Sequence, residues 1–112
     1  MSQDPIKPSQ LDGPINAADL IAFQDGAVVS RTLLKKTAGT VTAFAFDAGE
    51  GLSEHTAPFD ALALNISGEA DITVAGRVHR VGPGQLIRLP AGQSHAVKAT
   101  TPFKMLLIMI GT

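Results

Sequence analysis

Short runs rich in β-branched and apolar residues recur down the chain, and each is closed by glycine, proline or a small polar cluster. The 11 glycines and 7 prolines among 112 residues supply that punctuation. No helix-length segment repeats apolar residues at the i, i+3, i+4 spacing of an amphipathic helix, which argues against a parallel α/β sheet. Strands are expected at 28–34, 40–46, 61–66, 70–74, 77–81, 86–89, 94–99 and 103–110. Ala75-Gly76 fits a tight hairpin between two of them. Strands at such short spacing make an all-β sandwich or barrel the expected class.

The domain is expected to begin near Ala27. Residues 1–26 read as an arm, because Pro5, Pro8, Gly13 and Pro14 deny it regular helix. One short helical turn is expected after Asn16, which is placed to cap it. Residues 27–112 form the barrel, and residues 53–58 read as a loop within it.

Composition removes several function classes. A net charge of −1 offers no broad basic surface, so neither nucleic acid nor an anionic membrane is an expected partner. The absence of cysteine excludes disulfides, thiolate metal sites and cysteine nucleophiles. The polar first ten residues lack the apolar centre of a secretion signal, and no apolar run approaches a membrane span. A cytoplasmic protein is therefore expected. No Gly-x-Ser-x-Gly or phosphate-loop pattern occurs.

The last strand is apolar on both faces: Phe103, Met105, Leu107 and Met109 on one, Leu106, Ile108 and Ile110 on the other. An inner core uses one face only. A homodimer is the expected cover for the second, with the N-terminal arm as the alternative.

Two segments carry a family likeness. One runs from Gly49-Glu50-Gly51 through Ser53-Glu54-His55-Thr56-Ala57-Pro58-Phe59-Asp60-Ala61 to Gly68. The other is Gly82-Pro83-Gly84, a short strand, then Pro90-Ala91-Gly92-Gln93-Ser94-His95. Together they resemble the two motifs of a small single-domain cupin. That resemblance implies a jelly-roll barrel, the double-stranded β-helix, preceded here by a short arm. In metal-binding members three histidines and a carboxylate converge on one divalent ion at the barrel mouth, a donor set suited to several transition metals.

This chain departs from that set. His55 and His95 fill the outer positions, while Ala57 and Ala61 stand where two ligands would be. Asp60 would join them only if a bulge turned it inward. Either no cofactor or a weakly held divalent metal on His55 and His95 is the expectation. Small residues at Ala57, Ala61, Ala63 and Asn65 would leave a pocket beside the two imidazoles, with Phe44, Phe46, Met105 or Met109 on its walls. A filled core is the competing outcome. Such a pocket would bind a small organic molecule. The alternative is a metal-dependent oxygenase or isomerase, and a weaker third reading is a barrel that only dimerises. Glu54, His79 and Arg88 read as solvated positions first, with Arg88 able to meet an anion.

Overall fold

A computed structural model describes residues 2–111 of the chain. Nine strands form it: β1 (Val28–Lys36), β2 (Gly39–Phe46), β3 (Gly51–His55), β4 (Asp60–Ser67), β5 (Ala70–Val74), β6 (Arg77–Val81), β7 (Leu86–Leu89), β8 (His95–Ala99) and β9 (Phe103–Ile110). They make two antiparallel sheets, ordered β1-β2-β9-β4-β7 and β3-β8-β5-β6. The β5–β6 hairpin turns on Ala75 and Gly76, both at positive φ, as a two-residue hairpin turn requires.

Strand β3 corrects the first half of the loop expected at 53–58, while residues 56–58 do lie outside the strands. Gly51-Leu52-Ser53-Glu54-His55 has no β-branched residue and no alternation, so its strand character comes from pairing with β8. Strand β1 also runs two residues past its expected end, to Lys36.

The inward faces of both sheets fill the space between them. Phe46, Ile72, Phe103 and Met105 are fully buried there with Val97, Leu89, Ala61 and Ala63. Phe46 packs against Phe103 at 5.4 Å between ring centroids and against Phe44 at 6.0 Å.

The arm has its own attachment. Gln3 and Ile6 donate backbone bonds to Ser30 and Thr32, extending the larger sheet beyond β1. Short 3₁₀ turns follow at Pro8–Leu11 and Ala17–Leu20. The second is the expected turn, but the Asn16 side chain does not cap it; its carbonyl accepts the Asp19 N–H instead. Ile6, Leu20 and Ile21 bury themselves on the outer face of β1 and β2, against Val29, Leu33, Ala43 and Ala45. Leu106 of β9 joins this second cluster. Lys104 ties the arm down by donating to the Ala18 carbonyl at 2.7 Å while lying over the Phe23 ring.

The arm thus covers part of the face for which a second copy was expected. Ile108 stays half-buried, and Ile110 and Leu86 are exposed. Among the described residues, no helix is long and apolar enough to cross a membrane.

Candidate functional site

The chain concentrates its titratable side chains of interest at one end of the barrel. There β3 runs into β4 through residues 56–59, and β7 into β8 through 90–94. The two connections clasp each other: Gly92 N–H donates to the Ala57 carbonyl at 2.8 Å, and Ala91 N–H to Asp60 Oδ1 at 2.9 Å. Glycine at position 92 supplies the positive φ this loop needs. We call this end the mouth.

His55 and His95 are direct cross-strand partners on β3 and β8. A register shift between Leu52 and His55 marks a β-bulge in β3. The extra residue matters, because Leu52 already packs into the core and strict alternation would put His55 on the outside. The bulge returns His55 to the side of His95. Their rings meet edge to face, 4.3 Å between centroids, with Nε2 to Nε2 at 3.1 Å. His95 is buried and His55 exposed.

The proton count of the pair follows from its other contacts. His55 Nδ1 lies 2.8 Å from the Ser53 carbonyl, which can only accept, so that nitrogen carries the hydrogen. In that tautomer the Nε2 of His55 is a lone pair aimed at His95. His95 satisfies it by donating from Nε2. Its Nδ1 sits 3.4 Å from the Gln93 carbonyl, a long contact that strengthens only if the ring gains a second proton. Burial first, and the neighbouring His55 ring second, hold the His95 imidazole below the usual histidine range; the Gln93 carbonyl works weakly the other way. With the His95 imidazole favoured in its uncharged form, the two rings share one N–H···N bond.

The other expected site residues divide. Ala61, Ala63 and Asn65 do line the inner face of β4, and Phe44 and Met105 the inner faces of β2 and β9. Their lateral neighbours are large: Met109 and Leu89 flank Ala61, and Leu107 and Ile87 flank Ala63. Asn65 lies at the far end from the histidines, donating to the Gly68 and Val81 carbonyls. Ala57 belongs to the mouth connection rather than to a strand face.

Asp60 is not turned toward the histidines. The bulge in β4 lies between Asn65 and Ser67, so at Asp60 alternation holds and inward Ala61 sends its neighbour outward. Its carboxylate accepts the Ala91 N–H and holds the loop that leads to His95.

These residues do not fit the four-ligand centre that the resemblance implies. The donor set is two imidazoles, and among the described residues no group of three or more His, Cys, Asp or Glu gathers.

Sequence reasoning missed one feature of the mouth. Lys36, Thr37, Gly39, Thr40, Phe59, Met109 and Gly111 line a cavity of about 140 Å³. Phe59 stood in the quoted motif, but its partners come from the β1–β2 hairpin and the end of β9, far away in sequence.

A family model for the cupin domain matches residues 43–110. Among solved structures, a conserved protein of unknown function from Streptococcus pyogenes is 30% identical, with a TM-score of 0.88 over 96% of this chain and 95% of that one. A cupin superfamily protein from Desulfitobacterium hafniense is 31% identical, with a TM-score of 0.85 over 90% and 93%. A Cupin 2 conserved barrel domain protein from Leptotrichia buccalis is 39% identical, with a TM-score of 0.83 over 87% of this chain but 47% of that one. No functionally curated protein matches the chain.

Proposed function

The chain belongs to the cupin family, and from that membership we propose that it is a binding barrel for a small organic molecule seated at the mouth on His55 and His95. One observation carries the reading. The two Nε2 atoms converge at 3.1 Å, with a donor and an acceptor that a ligand can take over when it parts them.

The competing reading is a metal-dependent oxygenase or isomerase. It needs ligands from outside the chain to complete the shell around two imidazoles. Native mass spectrometry and elemental analysis of untagged protein separate the two. The expected result is an organic adduct near one per chain, lost in His95→Ala, with metal far below one per chain. Stoichiometric metal that disappears in His55→Ala and His95→Ala would support the enzyme instead.

For the outer face left open by the arm, we propose a second copy as the cover. A groove of about 130 Å³ there is lined by Asp60, Ala61, Leu62, Arg88, Ile108 and Ile110. It holds one acid and one base within an apolar surface. A two-fold axis would bring each Arg88 to the other copy's Asp60 while the apolar rows meet. Light scattering should give twice 11.6 kDa, and Arg88→Glu should give 11.6 kDa. A monomeric parent chain at about 100 μM, a concentration well above the Kd of a stable dimer, refutes this pairing.

A further inference from the structure

The cavity beside the β1–β2 hairpin is built from two kinds of wall. One is apolar and comes from Phe59 and Met109, with Gly39 and Gly111 adding no side chain. The other is polar and cationic and comes from Thr37, Thr40 and Lys36. Among the described residues no salt bridge involves Lys36. Lys36 is the only charged residue on the lining.

Phe59 rests on the end of the chain's last strand. A Cβ added at Gly111 would overlap the Phe59 ring, so the ring lies directly on that glycine's backbone. It is nevertheless 38% exposed, an unusual state for a held aromatic. A Cβ at Gly39 would overlap the Met109 carbonyl oxygen, so glycine there lets β2 and β9 approach closely at the cavity floor.

We infer that this cavity binds a small organic carboxylate whose flat apolar body lies against Phe59 and Met109 and whose carboxylate meets Lys36 and the threonine hydroxyls. Volume sets the body size: an apolar cavity near 150 Å³ accepts a benzene-sized guest. The apolar walls disfavour inorganic anions, which would be desolvated there for no return. A neutral guest would leave the ammonium unused. The site is separate from the histidine pair, since neither His55 nor His95 lines it. It stands at the same end of the barrel, because Phe59 belongs to the connection that leaves His55.

Benzoate is the probe. Titrated into the full chain at pH 7 and followed by ¹⁵N–¹H spectra, it should shift the amides of Lys36, Thr40, Phe59 and Gly111 saturably. Benzamide and inorganic phosphate should bind about tenfold more weakly or not at all, each lacking one of the two features. Lys36→Met keeps the chain length and should weaken benzoate about tenfold while leaving benzamide unchanged. Gly111→Ala should displace the Phe59 ring and weaken both aromatic probes. His95→Ala should leave benzoate binding intact, which keeps this test apart from that of the histidine pair. No saturable shift with benzoate overturns the inference, as does equal affinity in Lys36→Met.

Discussion

Asn65→Asp is expected to lower the unfolding free energy by about 3–5 kcal/mol, from two buried carbonyls losing their donor plus a buried acid. The Asn65 side chain is 2% exposed, at the end of the barrel opposite the histidines. Its Nδ2 donates to the Gly68 carbonyl at 2.8 Å and the Val81 carbonyl at 3.1 Å, joining the β4–β5 turn to the end of β6. A carboxylate of the same shape would put negative oxygen against both acceptors. Protonation would restore one donor at most. The folded state therefore raises the new carboxyl's pKa, and the stability deficit is greatest above that raised value. It shrinks as pH falls toward the ordinary carboxyl value of about 4. Urea unfolding at pH 7.5 and pH 4.5 measures both parts. A loss under about 1 kcal/mol at pH 7.5 would mean the amide does not pin these carbonyls. Among the described residues Asn65 Oδ1 has no partner, so Asn65→Leu tests the donor bonds alone and should be independent of pH.

The second large effect is expected in the same β4–β5 turn. Gly68→Ala should cost about 3 kcal/mol, because two penalties add. Its φ of 81° lies in the left-handed region, which costs an alanine about 1–2 kcal/mol. The added Cβ would also overlap the Pro102 carbonyl oxygen, a backbone atom with no rotamer to yield, at a further 1–3 kcal/mol. Gly49→Ala is the control: it shares the positive φ, but nothing lies within 4 Å of its added Cβ. The difference between the two melting points isolates the close approach of the β4–β5 turn to the start of β9. Equal losses would remove that contact from the account.

Which parts of this molecule could be read from residues alone follows from where the signal lies. Strands β2, β4 and β5 carry β-branched or alternating side chains, and the Ala75-Gly76 turn declares itself by type, so these elements were legible. Strand β3 was not, because its strand character comes from β8 and its bulge breaks the alternation a reader would count. The two histidines were legible as a pair through motif spacing. Their mutual hydrogen bond was not, since it depends on that bulge. Asp60 shows the converse: strand alternation predicted its outward direction, and only the unlocated bulge left the question open. Arm cover was hard to foresee because Ile6, Leu20 and Ile21 are spread over irregular chain with no period to detect. The Lys36 cavity gathers single residues from three distant segments, and no local pattern encodes such a meeting.

The direction of the arm along β1 has a practical bearing on how the protein is handled. Gln3 pairs with Ser30 and Ile6 with Thr32, so the arm starts toward the far end of the barrel and advances toward the mouth. Strand β9 finishes at the mouth, with Ile110 beside Asp60 and Gly39. A polyhistidine extension attached after β9 would deliver extra imidazoles to the neighbourhood of His55 and crowd Phe59. Attached ahead of Ser2, it would emerge away from both. Affinity handles belong on the amino side, and metal content measured with a handle on the other side would describe the handle.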